Sequence, residues 1–348
     1  MNPTNVPLST PTASAATETT LLVHPADSGG CGFYRIRTPA KTLAFYNLVS
    51  KVTEAGYYLN KAQLEELNPS IIVTQRQTEP KQAENIVRYV NEGYEVVHEL
   101  DDLLWLVPPG NAYSKYFKGP QRAALKTVLT ASSRLVVSTD PLKDEVAKLA
   151  RRDDVNVLPN MVSGQFFAKE THRRKTEKLR VGWAGSSTHS GDLRLIEYVI
   201  KHTYDKYHWV FLGWVPEYLV GHVEFLPPVK VEDYLPALAS MNLDVAVAPL
   251  EDNLFNSCKS NLKLIEFSAL GIPVITSNVY PYSGNPNFNI KESKKSWKTW
   301  LEALDTYDKN EELRVAHGLA SQAYASQFML EKRENVELIR KTWLGDKS

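Results

Sequence analysis

The sequence predicts an α/β protein made of two doubly wound, Rossmann-like domains that face each other across a cleft. Three observations carry that expectation. Short apolar, strand-like runs alternate with helical stretches from Thr20 onward, the signature of a parallel sheet covered on both faces. A charged segment, KETHRRKTEK at Lys169 to Lys178, interrupts the pattern, which then restarts. The length of 348 residues suits two domains at roughly 150 residues each.

Taken in order, TLLVHPA from Thr20 reads as a buried strand, followed by a loop, DSGGCGFYRIR. Thr38-Pro39 reads as an N-cap with proline at the first helical position, and Gly56 as the end of that helix. SIIVTQ is a strand, Pro80 to Glu92 a helix closed by Gly93, and YEVVHEL a strand. Gln121 to Thr130 is a helix, RLVVST a strand, Pro141 to Ala150 a helix and VNVLP a strand. In the second half, LRVGWAGS is a strand and turn, Thr188 to Tyr204 a helix, and HWVFLGW and VEFLPP strands. Val231 to Met241 is a helix, LDVAVAPL a strand, Ser260 to Leu270 a helix ended by Gly271, and IPVITSN a strand. Ser296 to Trp343 reads as helical. The domain expectation is a disordered tail at 1–19, a first domain at 20–168, a second at 179–325, and a final segment at 326–348. Val336, Ile339 and Trp343 recur at helical spacing in that segment and need a surface to cover, which the first domain would supply.

Bulk composition excludes several classes. Forty basic and forty acidic residues leave no net charge, so a nucleic-acid partner would need a local basic patch. Two cysteines, Cys31 and Cys258, do not make a disulfide scaffold and fit a reducing cytoplasm as free thiols at the cleft. No run of eighteen apolar residues predicts a membrane span, and the first nineteen residues lack an apolar targeting core. No H-E-x-x-H, paired C-x-x-C, G-x-S-x-G or Walker pattern occurs, so no metal site is expected.

Four constellations carry chemistry. The strongest is PLEDNLFNSCKSNLKLIEFSALGIPVITSN, Pro249 to Asn278, which runs strand, loop, helix, Gly, strand. Ser260 is its candidate N-cap, and the helix N-terminus offers free N–H groups to an anion. Lys259, Lys263 and Glu266 share one helix face by their spacing. Two cations there suit a diphosphate and the carboxylate suits a ribose diol; an ordinary Lys-Glu surface pair fits the spacing equally. The second is VGWAGSSTHSGDL, where Gly185, Ser186 and Ser187 form a small-residue turn into a helix start. His189 there reads as an exposed helix-start residue. The third is Asp27 to Arg37, whose glycines, Gly30 among them, permit close backbone approach. Arg35 and Arg37 are phosphate or acceptor contacts or, equally, partners of carboxylates. The fourth is HELDDLLWLVPPGN, with Glu99, Asp101 and Asp102 past the end of a strand. Beyond it, Trp105, Tyr113, Tyr116 and Phe117 interleave with Lys115, Lys118 and Arg122.

The motif KSNLKLIEFSALGIPV resembles the donor-binding helix of group-1, retaining glycosyltransferases of the GT-B fold, and the glycine-rich Tyr-Arg loop with the HELDD segment is similar to phage-encoded members. The resemblance implies that Glu266 holds the nucleotide ribose. It places Lys259, Ser260, Asn261, Leu262 and Lys263 by the donor phosphates and sugar, with Gly30, Gly185, Ser186 and Ser187 also at the donor. Many members carry a glutamate where this chain has Cys258, so that contact would pass to Lys259 or loop backbone. Lys259, Glu99, Asp101 and Asp102 are the expected catalytic residues, and Arg35, Arg37, Trp105, Tyr113 and Tyr116 the expected acceptor contacts. The donor is expected to be a UDP-sugar acting as co-substrate, with no metal or other cofactor. The acceptor expectation is a hydroxymethylated pyrimidine in DNA, 5-hydroxymethylcytosine included, held by stacking and phosphate contacts; a glycan, lipid or protein hydroxyl, or a catalytically inactive nucleotide-binding module, are the alternatives.

Overall fold

The computed structural model describes residues 18–109, 111–167 and 177–345, and of Ala112 and Tyr113 the backbone alone. The expected N-terminal tail and nearly all of the 169–178 segment lie outside those residues. The described strands form two six-stranded sheets in which every pairing is parallel. The first contains β1 (Thr20–His24), β2 (Lys51–Glu54), β3 (Ile71–Gln75), β4 (Glu95–Leu100), β5 (Arg134–Val137) and β6 (Val155–Val157), in the order β2-β1-β3-β4-β5-β6. The second contains β7 (Arg180–Ala184), β8 (His208–Leu212), β9 (Glu224–Leu226), β10 (Val245–Ala248), β11 (Val274–Ser277) and β12 (Asn289–Ile290), ordered β12-β11-β10-β7-β8-β9. Central strands are buried on both faces, as IIVTQ and VAVA require: no residue of β3 or β10 is exposed.

The order of each sheet reverses once, between β1 and β3 in the first and between β7 and β10 in the second. Loops leaving adjacent strands at such a reversal diverge to opposite faces and open a crevice at the strand C-termini. The first crevice is edged by the segments after His24 and Gln75, the second by those after Ala184 and Ala248. The last helix, Arg333–Leu344, returns to the first sheet and inserts Ile339, Trp343 and Leu344 into a core with Leu21, Val73, Val97 and Val136.

Several elements differ from the sequence expectation, each for a local reason. DSGGCGFYRIR is mostly helical. Asp27 Oδ1 accepts from the backbone N–H of Gly29 and Gly32, at 2.9 and 3.0 Å, and so does the capping. The helix then runs from Gly30 through a widened turn at Phe33–Arg37 into Thr38–Phe45. The widened turn lies just ahead of Pro39, where a regular helix would lose a donor and meet a clash. Thr38 is therefore interior, and the helix stops before left-handed Asn47 rather than at Gly56. Edge strand β2 and the helix Lys61–Leu67 lie where no element was expected. A capping box between Asn60 and Gln63 marks that helix. The second-half helix expected from Thr188 is broken into Ser187–His189, Ser190–Arg194 and Glu197–Lys201. The C-terminal stretch is three helices, Ser296–Lys309, Glu311–Ala325 and Arg333–Leu344, the second capped by Asn310. No helix among the described residues is long and apolar enough to cross a membrane.

Candidate active site

The two crevices face each other and merge into one cleft of about 720 Å³. From the first half it is lined by Gly30, Cys31, Tyr34, Arg76, Asp101 and Asp102, and from the second by Ser186, His189, Lys259, Lys263 and Glu266.

The second-half wall is built on the helix Leu262–Ala269, which follows β10 and precedes β11. Its first turn presents Lys263 and its middle Glu266. Glu266 is 5% exposed, and both its oxygens are engaged: Tyr34 Oη donates to Oε1 at 2.7 Å and Tyr234 Oη to Oε2 at 3.3 Å. Burial pushes the Glu266 carboxyl up to about 7, against the opposing pull of the Tyr34 hydroxyl, Lys263 and Tyr234. Burial also draws the Lys263 ammonium down to about 8. Its Nζ donates to the Ala184 carbonyl and lies 5.3 Å from the Trp183 ring centroid. Gly185 must be glycine in this arrangement, because a Cβ there would come within 2.8 Å of the Trp183 ring. Lys259, just before the helix, sits 4.6 Å over the Phe255 ring and reaches across the cleft to Asp102 at 3.4 Å.

The first-half wall is a chain of paired charges. Arg76, at left-handed φ of 48° past the end of β3, bonds Asp101 and, at 2.5 Å, Asp102. Burial works to raise the Asp102 carboxyl, but Lys259 and Arg76 outweigh it and hold it below the usual carboxylate range. Arg76 escaped the sequence reading. Its signal was position: a cation one residue past a fully buried strand, opposite the HELDD carboxylates.

Asp101, Asp102, Lys259, Ser260, Leu262, Lys263, Glu266, Gly30, Ser186 and Tyr116 all line the cleft. The other expected site residues are placed otherwise. Glu99 is fully buried behind the cleft, where it takes Arg35 Nη2 at 2.5 Å and Trp343 Nε1 at 2.7 Å. It touches no substrate space, and burial raises its carboxyl. Arg35 does edge the cleft, but it is 2% exposed and spends its guanidinium on Glu99, the Leu158 carbonyl and Asn160. Arg37 pairs with Glu54 and the Asp27 carbonyl, outside the cleft lining. For both arginines the carboxylate-pairing alternative holds. Trp105 packs against the apolar cluster of Leu103, Leu129 and Leu142 and does not line the cleft. The Tyr113 side chain lies outside the described residues. Gly185 and Ser187 flank the lining without joining it, and Asn261 turns its amide to Tyr324 Oη at 2.9 Å. Ser260 is not the helix cap: its Oγ accepts from Asn160 Nδ2 across the cleft at 2.8 Å. Both cysteines are free, but only Cys31 is at the cleft; Cys258 is buried with Leu142, Val146 and Phe255. His189, expected to be exposed, instead lines the cleft with Nδ1 2.8 Å from Asp192 Oδ2.

No family model matches the chain. A Bacillus subtilis (strain 168) protein, named for a glycosyltransferase role in teichuronic acid biosynthesis (TuaH), is 25% identical over 210 residues. The match covers 53% of this chain, and the chain spans about half, 51%, of that relative's length. Among solved structures, a sucrose-phosphate synthase from Thermosynechococcus elongatus superposes with a TM-score of 0.67 at 12% identity, covering 93% of this chain and 98% of that one. An α-glucosyltransferase in complex with UDP-glucose and DNA containing an abasic site superposes at 0.61 and 8% identity, covering 93% and 99%. With its two facing six-stranded parallel sheets, the chain has the GT-B fold of these glycosyltransferases.

Proposed function

We propose that the chain is a glycosyltransferase that takes a sugar from a nucleoside diphosphate, UDP by preference, and transfers it to a hydroxyl with retention. One observation carries the reading: Glu266, Lys263 and Lys259 converge on one wall of the cleft, at the end of a sheet where the strand order reverses. Glu266 and Lys263, buried and displaced toward their neutral forms, suit with Lys259 a ligand that brings both hydroxyls and negative charge. Glu266 accepts from the ribose diol in place of the tyrosine hydroxyls, and the two lysines hold the diphosphate and stabilise its charge as the glycosidic bond breaks. Asp101 and Asp102 are tied up by Arg76 and Lys259, which leaves the departing phosphate as the base for the acceptor hydroxyl. The names of the fold relatives, two glycosyl-transferring enzymes and one UDP-glucose complex among them, support the donor class.

For the acceptor, the lining favours a neutral glycan hydroxyl. Asp27, Glu79, Asp101, Asp102 and Glu266 offset Arg35, Arg76, Lys259 and Lys263 within the cleft, and the whole chain carries no net charge. Hydroxymethylated DNA is the second reading, favoured by one feature: Tyr116, Lys115, Lys118 and Arg122 stand exposed at one rim. The test is to incubate the protein with a panel of nucleotide-sugars and both acceptor classes, follow mass gain, and assign the anomeric product by NMR. Transfer with retained configuration supports the proposal. Donor binding without hydrolysis or transfer to any acceptor would reduce the chain to a nucleotide-binding module.

A further inference from the structure

His189 stands at the start of the second domain, where β7 ends and the Ser187–His189 turn begins. Its ring is one wall of the cleft, and its Nδ1 is committed to Asp192 at 2.8 Å. Asp192 is itself 6% exposed and fixed from the other side, with Oδ1 accepting from the Glu251 N–H at 2.9 Å and from Asn256 Nδ2 at 3.2 Å. A carboxylate so held keeps the proton on Nδ1 and the ring in one orientation, and leaves Nε2 as the nitrogen available to the cleft. Cations and carboxylates both stand around the ring. Lys263 lies on the same side, its Nζ over the Trp183 ring to which His189 stands edge-on at 6.5 Å. Lys259 approaches from the loop before the helix, and Asp102 faces it from the first domain, already paired with Lys259 and Arg76. Glu251 lies beyond Asp192. Burial first, then Lys263, pulls the imidazole down to about 4 against the opposing Asp192, so the protein's own groups keep it neutral at pH 7.

We propose that His189 is a donor-phosphate ligand, held ready by Asp192, that takes one proton from solvent at Nε2 as a nucleoside diphosphate sugar enters. The inference rests on the donor reading above. A diphosphate between Lys259, Lys263 and His189 adds negative charge on the side of the ring where the two lysines oppose its protonation. It thereby reverses the balance that keeps the ring neutral. The charged ring then donates Nε2–H to a phosphate oxygen while Asp192 accepts from Nδ1–H, so both imidazolium protons are satisfied.

Titration calorimetry with UDP-glucose tests this. That donor has no phosphate group titrating near neutrality, and two buffers of different ionisation enthalpy report the protons exchanged on binding. At pH 7 the wild type is expected to take up roughly one proton more per bound donor than H189N, whose amide can still donate to Asp192. Its affinity should fall with rising pH more steeply than the variant's. H189Q serves as a second variant, and thermal melting confirms that each is folded. Equal proton uptake in the wild type and a folded variant that binds the donor overturns the role of His189 and leaves the donor reading intact. No binding of UDP-glucose or UDP by the wild type overturns the donor reading, and this inference with it.

Discussion

The two walls of the cleft treat charge in opposite ways. On the first-half wall the arginines each have a carboxylate against them, Arg35 with Glu99 and Arg76 with Asp101 and Asp102, as does Arg37 with Glu54 outside the lining. On the second-half wall the ionisable groups are displaced from their ordinary values by burial, Glu266 to about 7, Lys263 to about 8 and His189 to about 4. Paired charges in a fold stabilise one arrangement and have little left to give a ligand. Displaced ones mark a place where the protein alone leaves charge under-compensated, and such places cluster at functional sites. The first half thus reads as a scaffold that shapes the cleft, and the second as the face that meets the donor.

The sharpest way to break that contrast is at Glu99. If it belongs to the scaffold, E99A strands the buried Arg35 guanidinium and should lower stability by about 3–5 kcal/mol, read from chemical denaturation. A loss below about 1 kcal/mol, with transfer activity abolished, would return Glu99 to the chemistry.

The second-half wall makes a pH-dependent prediction. Burial raises Glu266, so the native state keeps a proton that the unfolded chain loses between about 4.5 and about 7. Its contribution to stability is complete below 4.5 and disappears as pH rises through about 7, a change on the order of 1–3 kcal/mol. E266Q should flatten that slope. An unchanged profile in E266Q would mean that Glu266 is not the displaced group.

The smallest effect is expected at the rim. R37A opens a partly solvated ion pair with Glu54 and should cost less than about 1 kcal/mol. A larger loss would show that the first-half helix depends on this pair, since Arg37 also bonds the Asp27 carbonyl near the helix start.

Fold and site were legible in the sequence to different depths. The strands with four or five consecutive buried residues were readable because burial on both faces leaves three or four apolar residues in a row, with no polar alternation to confuse the period. Strand β2 was not, since KVTE is short, half-exposed and at a sheet edge. The glycine-rich loop misled because its first turn is capped by Asp27 rather than by the more obvious Thr38-Pro39 pair. At the site, Lys263 and Glu266 were readable because a single helix sets their spacing, whereas Lys259, expected on the same face, lies in the loop just before that helix. What spacing cannot show is which partner reaches them from far along the chain. Tyr34 meets Glu266 across 232 residues, and Glu99 meets Trp343 across 244. The first contact puts a residue of the first half on the candidate donor carboxylate. The second takes an expected catalytic residue out of the cleft.

The central claim is that the second-half wall binds a nucleotide-sugar through Glu266. Calorimetric titration of UDP-glucose into the wild type and E266A, with thermal melting of both, measures it directly. The account predicts one donor per chain and an affinity roughly ten- to a hundredfold weaker in E266A, the equivalent of losing a charge-assisted bond of about 1.5–3 kcal/mol. A folded E266A that binds the donor as tightly as the wild type would contradict it.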